Sequence, residues 1–349
     1  MNISKYKNDG ITGLVNLGNT CFLNACIQVL KSTYEISEFI EKKHKNNAED
    51  IDDDSIIIRE WVDLSKVMRS GNGIVSPDKF VYNVQRLAKL KNRDLFTGWV
   101  QNDMPEFLMF LIECMHNSIS RPIKMNIKGN PENPRDKIAI KCYEMLKKIY
   151  VNEYSEIMQT FYGIYVNTIS SMHNDVAYSI KPEHYFILDL QILFYEKPIQ
   201  TIYDCFDLFT IPEFLEGENA WYNEETKQKE NVKKQIRFWN LPNILIISLK
   251  RFSMDGSSKI NNLIEFPLEN LNLSKYIIGY NPDSYVYDLY GVCNHSGSVM
   301  GGHYTSFVKN ADDKWIHYDD TNVQIVENPN DIISNMAYCL FYRKKNSVL

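Results

Sequence analysis

The run Gly13-Leu14-Val15-Asn16-Leu17-Gly18-Asn19-Thr20-Cys21-Phe22-Leu23-Asn24 places a cysteine at the first turn of an amphipathic helix, directly behind a Gly/Asn-rich loop. Phe22, Cys26, Ile27, Val29 and Leu30 recur at helical spacing, and Asn19 or Thr20 stands where a capping residue belongs. Cys21 therefore lies among backbone N–H groups that have no partner within the helix. Those donors and the helix dipole favour thiolate over thiol. The same place is also ordinary for a buried structural cysteine, so the segment alone leaves both readings open.

A distant segment bears on the choice. Gly301-Gly302-His303-Tyr304-Thr305-Ser306-Phe307-Val308-Lys309 and Trp315-Ile316-His317-Tyr318-Asp319-Asp320 read as the two arms of a β-hairpin, with the polar stretch Asn310 to Asp313 between them. His303 opens one arm and two carboxylates close the other, so one of them can face the imidazole across the ladder. Pairing Lys309 with Asp313 sets His303 against Asp319, whereas pairing Lys309 with Lys314 sets it against Asp320. Both registers are open at this level.

A thiol at a helix start, an imidazole on a strand and a carboxylate beside it are the parts of a cysteine-nucleophile triad. The region Asn16 to Gln28 resembles the Cys box of the ubiquitin-specific proteases, and His295 to Asp320 resembles their His box. Gln101-Asn102-Asp103-Met104-Pro105-Glu106-Phe107-Leu108 is similar to that family's glutamine/aspartate motif. Leu241 to Phe252, which ends in Leu-Lys-Arg-Phe, and Ala337 to Tyr342 are similar to two of its strands. The resemblance runs from about Gly10 to Arg343 with its landmarks in order.

The resemblance implies an α+β, papain-like cysteine protease fold: an N-terminal extension over 1–9, then one catalytic domain over 10–345. Within that domain, about 10–155 is thumb, 156–240 mainly fingers and 241–345 mainly palm. It implies a deubiquitinase in which Cys21 attacks the carbonyl of the C-terminal glycine of ubiquitin and forms a thioester. His303 activates the thiol and protonates the leaving amine, and Asp319 orients His303 with Asp320 as auxiliary. Asn16, five residues before Cys21, matches the family's oxyanion donor. Gln101 matches a residue that positions loops, and Asp103 and Glu106 match acids that pair with the arginines of the ubiquitin tail. Their spacing of three also suits a solvated acidic helix edge. His295 fits the blocking-loop pattern, with a solvent-facing histidine as the alternative. Gly301 and Gly302 allow close backbone approach beside the tail channel, Gly297 lies in the blocking loop, and Tyr304 either lines the channel or packs in the core. A catalytically silent ubiquitin-binding scaffold and a protease for a ubiquitin-like modifier are the alternatives.

Many members of that family carry two Cys-x-x-Cys pairs that bind zinc at the tip of the fingers. This sequence has no such pair. Asn223 and Thr226 occupy the places of the second pair, and the region Ser171 to Asp175 offers His173 but no thiol, so neither a zinc ion nor another cofactor is expected. Seven cysteines without paired spacing fit a reducing compartment, and the N-terminal residues have no apolar signal-peptide core. A net charge of -6 with no basic run argues against nucleic-acid binding, and no apolar stretch is long enough to span a membrane. These features predict a soluble, intracellular protein, in cytoplasm or nucleus.

Periodicity predicts helices over Tyr34 to Ile40, Ile56 to Met68, Pro77 to Lys91 and Pro105 to Ile119, a polar connection over His44 to Asp54 and a loop over Arg121 to Arg135. Strands are predicted over Phe161 to Asn167, Tyr185 to Gln191, Lys234 to Phe238 and Tyr285 to Val292, and the apolar Ile244 to Ile247 reads as a central strand.

Overall fold

A computed structural model describes residues 3–46, 53–98, 100–173, 176–194, 197–253, 255–298 and 301–345. The first half is helical. Cys21–Lys31, Tyr34–Asn46, Ser55–Arg69, Asp78–Leu90, Met104–Ile119, Pro134–Tyr150 and Glu156–Phe161 follow one another, and strands dominate from Gly163 onward. This is the α+β arrangement expected. Of the predicted connection His44 to Asp54, residues 47–52 lie outside the described residues, and the preceding helix runs on to Asn46.

Capping fixes the helix boundaries. The Asp103 carboxylate accepts from the Glu106 N–H at 3.1 Å, and Pro105 stands in the first turn, so the Met104–Ile119 helix starts there. Pro134–Tyr150 is a helix that the loop reading of Arg121 to Arg135 did not lead to. Its signal is local, because the Asn133 side chain accepts from the Asp136 N–H and Pro134 opens the first turn. Glu156–Phe161 likewise forms a capped helix behind Ser155, which moves the first strand of this region back to Gly163–Ser171.

Two larger sheets carry most of the rest, beside short two-stranded pairs. A four-stranded sheet has the order Ala177–Tyr185, Gly163–Ser171, Val232–Asn240 and Glu213–Leu215. The larger sheet runs Asn322–Ile325, Trp315–Asp319, Gly301–Lys309, Val286–Ser298, Ala337–Lys344, Ile244–Leu249 and Ile187–Leu190, with Leu271–Asn272 added beside Val286–Ser298. Ile187–Leu190 pairs in parallel with Ile246–Leu249, so the chain enters the large sheet once before it completes the small one.

The unbroken apolar run at Ile244 follows from burial on both faces of this sheet. Ile244 and Ile246 join the helical core, while Leu245, Ile247 and Leu249 join a second core on the opposite side with Tyr287, Leu289, Leu340 and Tyr342. The Cys21–Lys31 helix packs on the helical side against the strand that carries His303, which brings the two distant sequence landmarks together.

Candidate active site

The Asn16–Thr20 turn leads into the Cys21–Lys31 helix. Gly18 and Asn19 have φ of 96° and 56°, and the Asn16 Oδ1 accepts from the N–H groups of Gly18 at 3.0 Å and Thr20 at 3.1 Å. The expected side-chain cap is not formed. The Thr20 hydroxyl instead accepts from the Leu17 N–H at 2.9 Å, which closes the turn and leaves the helix start open.

Cys21 is the first helical residue and is 3% exposed. Burial is the largest influence on its thiol and raises it above the ordinary cysteine value of 9.0, and the Asp320 charge adds to this. The backbone of Tyr304, next to His303, and the N–H groups of Phe22 and Cys21 act in the opposite sense without prevailing. The net shift is upward, against the direction expected from a helix start, because desolvation outweighs the amide donors.

His303 and Asp319 meet directly, Nε2 to Oδ1 at 2.6 Å. Neither expected hairpin register produces this contact. Lys309 pairs with Trp315 and Ser306 with Tyr318, with the Asn310 and Lys314 backbones closing a longer turn. Extending that ladder one step sets Asp319 opposite Thr305, so Asp319 approaches His303 along a same-face diagonal. That contact uses Nε2 and not the other ring nitrogen, Nδ1.

Asp320 turns away at φ 51° and performs a different task. Its Oδ2 accepts from the Asn16 Nδ2 at 2.9 Å and its Oδ1 from the Asn24 Nδ2 at 2.8 Å, while its main-chain oxygen accepts from the Leu14 N–H. A Cβ on Gly13 would stand 2.8 Å from the Thr321 carbonyl, which is why the approaching strand carries glycine. Asn16 is exposed, and its amide nitrogen, which carries two hydrogens, donates to Asp320.

Gln101 grips the residue before the imidazole through both of that residue's backbone polar groups. Its Oε1 accepts from the Gly302 N–H at 2.8 Å, and its Nε2 donates to the Gly302 carbonyl at 2.9 Å. On the opposite face a Cβ on Gly302 would collide with the Ser296 carbonyl and the His295 ring. His295 does not face solvent. It is 4% exposed, its ring lies 4.7 Å from that of Tyr304 and 5.5 Å from that of Phe252, and burial with the nearby Lys259 charge lowers its pKa to about 4.

Asp103 and Glu106 share the start of one helix but differ in exposure. The Asp103 Oδ2 accepts from the Tyr338 hydroxyl at 2.7 Å, and burial raises its carboxyl; Glu106 is exposed. Tyr304 is buried with its hydroxyl toward Asp103 and the Met104 N–H, which is the packing alternative rather than a channel lining. Asp189, an exposed acid on the edge strand Ile187–Leu190, adds its charge to the Asp103 environment and was not singled out in the sequence.

Among the described residues, His303, Asp319 and Asp320 form the one group of three or more His, Cys, Asp or Glu whose ligand atoms lie within 4.8 Å of one another. The residues at the expected zinc positions do not fit the ion. Asn223 and Thr226 both donate to the Glu230 Oε1, at 2.8 and 2.7 Å, and no thiol stands with them.

Residues 12–342 match the family described as ubiquitin carboxyl-terminal hydrolase. The chain belongs to that family. Human ubiquitin carboxyl-terminal hydrolase 2 is 32% identical over 350 residues, covering 95% of this chain and 55% of that protein. The Drosophila melanogaster hydrolase Usp2 is 29% identical over 346 residues, covering 97% of this chain and 35% of its own length. The chain thus spans little more than half, or less, of these relatives. Among solved structures, the SAGA Ubp8/Sgf11/Sus1/Sgf73 DUB module bound to ubiquitin aldehyde superimposes with a TM-score of 0.72 at 23% identity, covering 100% of this chain and 72% of that one. The same module bound to monoubiquitin gives 0.73 at 24% identity, covering 98% and 70%. These likenesses show the fold. Among the described residues, no helix is long and apolar enough to cross a membrane.

Proposed function

We propose that this chain is a deubiquitinating thiol hydrolase that cleaves isopeptide or peptide bonds after the C-terminal glycine of ubiquitin. The observation that carries the reading is the 2.6 Å His303–Asp319 pair on the strand packed against the helix that starts at Cys21. Cys21 attacks the glycine carbonyl. His303 takes the thiol proton and returns it to the departing amine, and Asp319 holds the imidazole in orientation. The Asn16 amide and the Cys21 N–H receive the oxyanion, where one donor contributes about 3 kcal/mol to the transition state. The resulting thioester is hydrolysed by water that His303 activates.

Ubiquitin is the proposed partner. Its arginine-containing tail meets the acids Asp103, Glu106 and Asp189, and Gln101, Gly302 and His295 fix the loop along which the two glycines pass. We read 10–155 as thumb, 156–240 as mainly fingers and 241–345 as mainly palm. Seven unpaired cysteines, all buried, support a reducing compartment, cytoplasm or nucleus.

Ubiquitin bearing an electrophilic C-terminal group, run beside ubiquitin-like probes, tests this. Covalent labelling by the ubiquitin probe that disappears in Cys21→Ala is expected. No labelling of wild type would make the chain a silent scaffold, and preferential labelling by another probe would reassign the substrate.

A further inference from the structure

The nucleophile helix holds the segment before the oxyanion loop through three buried side chains. Lys31 Nζ donates to the Gly10 carbonyl at 2.5 Å, Gln28 Nε2 to Thr12 at 2.8 Å and Asn24 Nδ2 to Val15 at 3.3 Å. Positions 24, 28 and 31 share one helix face, and their acceptors at 15, 12 and 10 run the opposite way, so helix and segment lie antiparallel in fixed register. Asn24, the rung nearest Cys21, differs from the other two because the same Nδ2 also donates to the Asp320 Oδ1 at 2.8 Å. Its orientation is determined, since a carboxylate only accepts and the amide nitrogen must face it. Asn24 is 2% exposed, and its bond to Asp320 is part-buried.

We propose that Asn24 is a positioning residue for catalysis: it fixes the Asp320 carboxylate, which fixes the Asn16 amide at the oxyanion. Asp320 has two oxygens, one taken by each asparagine. Without Asn24 the carboxylate rotates toward a single partner, and the Asn16 donor loses its aim. Asn24 reaches no reacting atom itself, and its effect lies in the transition state rather than in ubiquitin binding. The inference rests on the proposed roles of Cys21 and Asn16.

The test compares Asn24→Ala and the isosteric Asn24→Asp with the intact chain, using a ubiquitin C-terminal amide substrate and ubiquitin aldehyde, whose adduct with Cys21 presents the tetrahedral oxygen. Asn24→Ala is expected to lower kcat about tenfold or more with KM within about twofold, the scale of a misaimed donor. Affinity for the aldehyde falls in parallel, whereas affinity for plain ubiquitin, measured in a Cys21→Ala background, stays unchanged. In Asn24→Asp a second carboxylate faces Asp320, with His303 and Asp319 beyond it, so activity relative to wild type is lowest at neutral pH. It recovers as pH falls and the new acid becomes a donor. Unchanged kcat in either folded variant, parallel losses of aldehyde and ubiquitin affinity, or an Asp variant with the wild-type pH profile would each overturn the proposal. Failure of the underlying reading is separate, because it appears in the intact chain as absence of a Cys21 adduct.

Discussion

In the proposed mechanism Cys21 gains its chemistry from neighbours rather than from its helix. Burial shifts the thiol upward, and the His303–Asp319 pair is the proposed base that removes its proton during attack. The two adjacent acids have different partners: Asp319 meets the imidazole, which it is proposed to orient, and Asp320 ties Asn16 to Asn24. Asp319→Ala is therefore expected to lower kcat by about a hundredfold or more, and Asp320→Ala by about tenfold, each measured with the same ubiquitin amide substrate. The reverse ranking would give the orienting role to Asp320. His295 sets a separate acid limit on stability. Its imidazole titrates near 6.5 when free and about 4 when folded, so between those values the unfolded chain binds the additional proton. This contribution, about 2–3 kcal/mol, is whole above pH 6.5 and is lost as pH falls toward 4. His295→Gln should flatten the decline in melting temperature between neutral pH and that limit, and an unaltered decline would remove His295 as its source.

At the scale of elements, the hairpin Trp221–Asn223/Gln228–Glu230 uses hydrogen bonds where relatives are expected to use metal. Asn223 is nearly buried, its amide reaches Glu230, and its Oδ1 accepts from the Glu225 N–H at 2.9 Å, while Trp221 stacks on Tyr178 at 6.1 Å. Asn223→Ala should raise amide hydrogen exchange in residues 221–230 by the equivalent of about 1–2 kcal/mol, and a zinc chelator should leave wild-type melting unchanged. A chelator-sensitive melt would show that a metal site exists after all. The motifs made most of this architecture legible: the Cys and His boxes, the capped helix at Asp103 and the doubly buried strand at Ile244 all appear where the sequence places them. Three features escaped for physical reasons. The hairpin register is set by a five-residue turn whose length no alternation of side chains encodes. The Pro134–Tyr150 helix buries only Ala139 and Cys142 along its length, so its apolar periodicity is faint. The upward shift of the Cys21 thiol comes from burial in the folded chain, which helix-terminus reasoning omits.

At the scale of the molecule, the first residues form a strap that leads into the Asn16–Thr20 turn. Tyr6 is 5% exposed, stacks on Tyr34 at 4.3 Å and carries the Arg69 guanidinium 4.8 Å above its ring. Asp9 pairs with Arg69, and the Gly10 N–H donates to the Arg69 carbonyl. From there the chain enters Thr12–Leu14, pairs in parallel with Gly73–Val75 and arrives at Asn16. Two attachments thus hold the segment that leads to the Asn16–Thr20 turn: the strap at its far end, and the Lys31, Gln28 and Asn24 bonds along its length. Because the second lies between the strap and Asn16, loosening the strap should cost stability before it costs catalysis. Tyr6→Ala removes a buried, stacked ring and is expected to destabilise the fold by about 2–4 kcal/mol in urea unfolding, with kcat of the folded protein within about twofold of wild type. A tenfold loss of kcat at unchanged unfolding midpoint would mean that the strap, rather than the helix face, sets the position of Asn16.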